Sequence, residues 1–131
     1  MNKPVDVVTG YLGAFLRGDP DEIASFVAEE FHNEHLSSIA SSCIGRDEYR
    51  RRLPGFLADF AERSYSVLDM VDQDRESHAE VVVRYDFSAV YQGFSISIPG
   101  VMWFTVRDGL IAKRMDVWDG GTFLSQIATA D

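Results

Sequence analysis

The chain has 131 residues, which suits a single domain spanning 1–131 with its own core and no second lobe. Apolar residues make up 46% and charged residues 25%, so disorder, collagen and coiled coil are poor readings. Lysine plus arginine total 12 against 21 acids, and the net charge of −9 argues against nucleic acid and anionic membrane as partners.

Cys43 is the only cysteine, so neither an intrachain disulfide nor a cysteine-based metal site is expected. No two histidines have the i, i+4 spacing of a helical metal site, and no phosphate loop or dinucleotide fingerprint occurs. No metal or cofactor is therefore expected. Asp6 interrupts the apolar stretch after Lys3, which does not suit a signal peptide. No apolar run approaches the roughly 18 residues of a membrane span. The expectation is a soluble cytoplasmic protein.

In chain order, residues 4–17 carry a helical stripe of Val5, Val8, Leu12, Phe15 and Leu16, with Pro4 in the first turn and Gly18 as the cap. Asp19 caps a second helix that starts at Pro20, with Glu22 in a capping-box position. Residues 30–36 switch to a strand period that puts Phe31, Asn33 and His35 on one face. Ser37 to Gly45 reads as a loop. A third helix follows from Arg46, and Pro54 is expected to kink or split it near Leu53. Four strands come next, at Tyr65–Val71, Ala79–Tyr91, Phe94–Val106 and Leu110–Trp118. Pro99-Gly100 suggests a bulge, Asp108-Gly109 is a strong hairpin signal, and Gln92-Gly93 is a weaker one. A short helix over Thr122–Ala128 closes the pattern. Helices first and hairpins later indicate an α+β fold, a curved antiparallel sheet wrapped around N-terminal helices as a cone with an internal pocket.

The chain resembles the nuclear transport factor two-like superfamily, and within it the SnoaL-like and ketosteroid-isomerase-related branch. The resemblance rests on Arg17-Gly18-Asp19-Pro20, Phe31-His32-Asn33-Glu34-His35, Gly45-Arg46-Asp47, and the closing segments Gly109-Leu110-Ile111, Asp116-Val117-Trp118-Asp119 and Phe123-Leu124-Ser125-Gln126. That fold hosts cyclases, isomerases, epoxide hydrolases and non-catalytic binders. Limonene-epoxide-hydrolase-like members carry an Arg-x-Asp on one strand, an Asp on the last strand and a Tyr-x-Asn on the first. Arg84-Tyr85-Asp86, Asp116 and Phe31-His32-Asn33 are similar, with Phe31 in place of the tyrosine.

Alternation leaves two readings of the second long strand. Val81, Val83, Tyr85, Phe87, Ala89 and Tyr91 share a face, and Arg84 and Asp86 lie on the other. Either the aromatic face is the cone interior, or it is buried in a homodimer while Arg84 and Asp86 line the pocket. The resemblance implies pairing by sheet faces, so a homodimer built on Tyr85, Phe87 and Tyr91 is expected. On the last strand Leu110, Ala112, Arg114, Asp116 and Trp118 share a face. Asp116 against Trp118 would suit general acid or base work, unless an arginine holds it in an ion pair. Asn33 and His35 would orient substrate or stabilise an oxyanion. Phe15, Phe31, Phe60, Trp103 and Trp118 are candidates to line the pocket around a small apolar molecule. The reading is a cofactor-independent enzyme that abstracts a proton next to a carbonyl. The alternatives are epoxide hydrolysis with Asp86 and Asp116 flanking a water, and a non-catalytic binding or dimerisation module.

Overall fold

The computed structural model describes residues 2–128. Helix α1 (Pro4–Arg17) has Pro4 in its first turn and ends at Gly18, whose φ of 74° suits a residue with no Cβ. Its buried face includes Val8, Tyr11, Leu12 and Phe15. Leu16, expected in that stripe, is exposed, and Tyr11 is buried instead. A tyrosine goes fully inside where its hydroxyl finds partners, as this one does. Helix α2 (Pro20–Ala24) starts at once, and the Asp19 side chain accepts from the Asp21 N–H. Glu22 turns to Arg17 at 2.8 Å.

Strand β1 (Val27–His35) begins before its expected boundary, and the Ser-rich stretch contains the two-residue strand β2 (Cys43–Ile44). Helix α3 (Arg46–Asp59) runs through Pro54 without splitting at Leu53. Pro54 is exposed, so water can serve the carbonyl that loses its N–H partner. Strand β3 (Phe60–Asp74) takes over directly from α3. It is followed by β4 (Ala79–Tyr91), β5 (Phe94–Arg107), β6 (Leu110–Trp118) and helix α4 (Gly120–Ile127). The two tight turns, Gln92-Gly93 and Asp108-Gly109, each hold both residues at positive φ. That is the hairpin geometry whose twist matches the flanking strands. Pro99 makes no bulge against β4, where Asp86 pairs with Pro99 in unbroken register. Pairing with β6 begins only at Gly100 and Trp118, so the missing N–H of Pro99 breaks no ladder there.

The six strands form one curved, unclosed sheet in the order β2-β1-β6-β5-β4-β3. All neighbours are antiparallel except β1 and β6, which run parallel. The inner face of the cone carries Val81, Val83, Tyr85, Phe87 and Ala89 of β4, with Ile96, Ile98, Met102 and Phe104 of β5, all buried. The aromatic face of β4 is therefore interior, and Tyr85, Phe87 and Tyr91 supply no dimer surface. They pack on helix and strand aromatics instead, Tyr65 on Phe87 at 4.7 Å and Phe60 on Tyr91 at 4.9 Å between ring centroids. Arg63 on β3 fixes the helices over this sheet. Its guanidinium donates to the carbonyls of Phe15 in α1, of Leu57 in α3, and of Phe60 where α3 hands over to β3.

Candidate functional site

A cavity of about 490 Å³ lies between the helices and the inner face of the sheet. Its two ends differ in chemistry. One end is aromatic: Phe56 stacks on Phe60 at 4.9 Å, and Phe123 of α4 closes on Tyr91 at 5.1 Å. The other end is polar and is built by β1 and β6, which lie side by side.

The bulge between Ile111 and Lys113 sets the polar end. Strict alternation would put Ile111 and Arg114 on opposite faces. The extra residue re-aims the strand, so Ile111, Arg114 and Asp116 are all buried. Arg114 is 4% exposed and Asp116 3% exposed, and they pair at 2.7 Å. The Tyr85 hydroxyl donates to the second Asp116 oxygen at 2.6 Å. Gly100 makes that reach possible: it pairs with Tyr85 across the strands, and a Cβ there would collide with the tyrosine ring and hydroxyl. Arg114 also donates to Tyr11 at 2.8 Å and to Tyr65 at 3.4 Å. Tyr11 in turn hydrogen-bonds Tyr49. The guanidinium lies 5.8–5.9 Å from the ring centroids of Tyr11, Phe15 and Tyr65, which adds cation–π attraction in a desolvated place. Burial pushes the Tyr65 hydroxyl up to about 12 and raises Tyr49 and Tyr85 well above the usual range, with the Asp116 charge adding to the rise at Tyr85. These hydroxyls are therefore donors and not bases.

His35 stands beside this group. Its Nδ1 is 3.9 Å from Asp116 and accepts from the Trp118 indole N–H at 3.3 Å. That bond assigns the ring proton to Nε2, which leaves Nε2–H as a donor. Burial, with the Arg114 charge next, pulls the His35 pKa down to about 4 against an opposing pull from Asp116, so the ring is neutral at pH 7. Asn33 is buried and its Oδ1 has no hydrogen-bond partner, and the same holds for Arg114 Nε.

Asn33, His35, Asp116, Phe15, Phe60 and Trp118 all line this cavity. Four other expected residues do not. Arg84 and Asp86 lie on the outer face of β4, in a separate hollow of about 420 Å³ around Gly100. Their strand turns its alternate residues inward, and Tyr85 is the inward one. Trp103 is 42% exposed on the outer face, with its indole N–H 3.3 Å from Glu80. Phe31 is fully buried but packs edge-on against Tyr49, behind the cavity wall. Sequence reasoning passed over Tyr11, Tyr49, Tyr65 and Tyr85 as polar participants. The one available signal was that Tyr11 and Tyr49 each sit on the buried side of a helix with a hydroxyl to satisfy. Among the described residues no group of three or more His, Cys, Asp or Glu side chains comes together as a metal site. No helix among them is long and apolar enough to cross a membrane.

Comparison with known proteins agrees with the architecture. Residues 8–114 match the SnoaL-like domain family, a match that ends two positions before Asp116. No curated protein sequence matches the chain. A candidate polyketide cyclase from Xanthomonas campestris is similar in structure, with a TM-score of 0.78 and 24% identity over 95% of this chain and 96% of that one. A protein of ketosteroid-isomerase-like fold from Catenulispora acidiphila has a TM-score of 0.80 and 14% identity over 95% and 93% of the two chains. An LEH-like epoxide hydrolase of M. tuberculosis has a TM-score of 0.77 and 14% identity over 94% and 87%. At these identities the likeness is one of fold. The match over most of its length places the chain in the SnoaL-like domain family, on a cone-shaped fold of the nuclear transport factor two and ketosteroid isomerase type.

Proposed function

We propose that the chain is a cofactor-independent enzyme that moves a proton at a carbon next to a carbonyl in a small apolar, polyketide-like molecule. The observation that carries this reading is a buried carboxylate, Asp116, at the polar end of an aromatic cavity of about 490 Å³, next to a neutral histidine. The apolar part of the substrate lies between Phe60, Phe87 and Tyr91. Asp116 takes the α-proton, and the electron pair of the broken C–H bond moves onto the carbonyl oxygen. The His35 Nε2–H and the Asn33 amide stabilise that enolate oxygen. Asp116 then returns the proton to another carbon, or the enolate carbon attacks a second carbonyl and closes a ring, and the proton held by Asp116 goes to the alkoxide oxygen that this attack forms. Arg114 and Tyr85 hold the carboxylate in place throughout.

The test is exchange of α-protons for deuterium in β-dicarbonyl compounds, followed by NMR, with wild type and Asp116→Asn. General-base help is worth on the order of 10²–10⁴ in rate, and the variant should lose about that much. A folded Asp116→Asn chain that keeps the wild-type exchange rate overturns the assignment. Epoxide hydrolysis with a water held between Asp86 and Asp116 loses its geometry, because the two carboxylates lie on opposite faces of the sheet. A non-catalytic binder is the second reading. It is favoured by one observation, that both Asp116 oxygens already accept hydrogen bonds from the protein. Tight binding of a β-dicarbonyl with no exchange by wild type would select it.

A further inference from the structure

The charges that face the cavity do not all cancel. Arg114 and Asp116 pair with each other, and His35 is neutral at pH 7. Two charged residues of the lining remain, Arg52 and Asp59, both on α3. The cavity face of that helix reads Tyr49, Arg52, Leu53, Phe56 and Asp59, steps of three and four that make one stripe. Its two charges stand about 10 Å apart along the helix axis. Asp59 adjoins Phe60 at the aromatic end, and Arg52 stands at the polar end. The Arg52 guanidinium donates to the Ser42 carbonyl at 3.2 Å, and the Ser42 hydroxyl accepts from the His35 backbone N–H at 3.1 Å. Cys43, the next residue, lies opposite Asn33 in register. One short segment thus ties the cation to the strand that carries Asn33 and His35.

Arg52 is incompletely neutralised. Its acidic partner Glu48 takes Arg51 with both oxygens, at 2.9 and 2.5 Å, and reaches Arg52 only at Nε, at 2.9 Å. One carboxylate therefore faces two guanidinium groups. Among the described residues Arg52 Nη2 has no hydrogen-bond partner, and the side chain is 42% exposed, so a ligand can reach it. The charge is felt at the cavity wall. Burial raises the Cys43 thiol, and Arg52 pulls it back more strongly than Glu48 pushes it up. A guanidinium is a planar fork of donors that fits a carboxylate. The chain as a whole, at −9, repels anions, so an acid seats only where a local cation outweighs that field. We infer that the substrate is an oxo acid, with its carboxylate held by Arg52 at the rim of the cavity, its ketone at Asn33 and His35, and its apolar end among Phe60, Phe87 and Tyr91. Asp59 repels a carboxylate from the aromatic end, which reinforces that direction. Arg52 is thus a specificity residue that selects an acid over its ester and fixes which way round the molecule lies. The inference rests on the proposed reading of the cavity for the placement of the ketone.

The experiment is isothermal titration calorimetry at pH 7 on wild type, Arg52→Gln and Arg52→Lys. The probes are oxo acids with a phenyl ketone at one end and a carboxylate two, three or four methylene groups away, each beside its methyl ester. The series covers different spans between ketone and carboxylate. In wild type at least one acid should bind about tenfold more tightly than its ester, since hydrogen bonds to an ionised acceptor are the stronger kind. High salt should shrink that preference, because the guanidinium is partly in water. Arg52→Gln should lose the preference while binding the esters as wild type does, and Arg52→Lys, which keeps the charge but not the fork, should retain part of it. Circular dichroism checks that each variant is folded. A wild type that binds no acid more tightly than its ester overturns the inference, and so does a preference that survives Arg52→Gln in full. Deuterium exchange next to the ketone of the same compounds is read separately. Acids held through Arg52 without exchange uphold this inference and remove the catalytic reading, whereas exchange with no preference for the acids does the reverse.

Discussion

Two Arg-x-Asp triplets stand on this sheet, Arg84-Tyr85-Asp86 on β4 and Arg114-Met115-Asp116 on β6, and they have opposite fates. In the first, both charges point outward, the arginine is exposed, and the two side chains do not meet. In the second, both point into the cone, are almost fully buried, and pair at 2.7 Å. The pattern of residue types is the same. What differs is which strand parity the surrounding apolar residues select, and β6 reaches its inward parity only through the bulge at Ala112. A short motif therefore carries little information about a site until its face is known. Desolvation then makes one triplet rigid and expensive to disturb, and leaves the other free to meet something outside.

Removing the cation from each triplet should break that comparison most visibly. Arg114→Met leaves Asp116 buried without its partner and strips Tyr11 and Tyr65 of a donor. The cost should be about 3–5 kcal/mol, or a melting temperature lower by about 10 °C or more. Arg84→Met should stay within about 0.5 kcal/mol of wild type. Equal shifts for the two would mean that the buried pair is not desolvated as described. Adding Asp116→Leu to Arg114→Met should recover part of the loss, because an apolar pair often replaces a buried ion pair at little cost.

A pH series sharpens the same contrast. His35 titrates near 4 in the folded chain, below its unfolded value of about 6.5. Between these values the unfolded chain binds the extra proton, so stability is complete above about pH 6.5 and falls as the pH drops towards 4. The loss should be of the order of 2–3 kcal/mol. Urea unfolding of wild type and His35→Gln at pH 7 and pH 4.5 measures it. A variant as acid-sensitive as wild type would move the effect to other groups.

Within the buried polar group, the smallest effect is expected at Tyr85. Tyr85→Phe removes one hydrogen bond to a charged acceptor, worth roughly 1.5–3 kcal/mol at most. Gly100→Ala should cost a similar 1–3 kcal/mol by crowding the ring. If Gly100 acts through that hydroxyl, the two substitutions together should destabilise by less than their sum, which a double-mutant cycle in chemical denaturation resolves. Strict additivity would show that the glycine serves only packing.

These particulars also show how far the sequence alone reaches. Helix starts at Pro4 and Pro20, the stop at Gly18 and the Asp108-Gly109 turn rest on local chemistry, and each is where residue types put it. The inward set of β4 was legible as a set, but not its direction, since period two says which residues share a face and not which face is wet. The polar end depended on a one-residue bulge and on tyrosine hydroxyls brought together from α1, α3, β3 and β4. Pairings such as Tyr11 with Arg114, 103 positions apart, leave no mark in a local window.

The parallel pairing of β1 with β6 has a consequence for how the molecule is made. β1 leaves the ribosome early and finds only the short β2 nearby, while its main partner is the last strand of the sheet. Until β6 has emerged, Asn33 and His35 have no Asp116 to stand beside, and one wall of the cavity does not exist. Assembly of the polar end is thus a late event, delayed by closing a loop of roughly eighty residues, and pairings of such long range slow folding. In the interval β1 offers an unpaired edge, and its charges at Glu29, Glu30 and Glu34 work against strand-to-strand association with a neighbouring nascent chain.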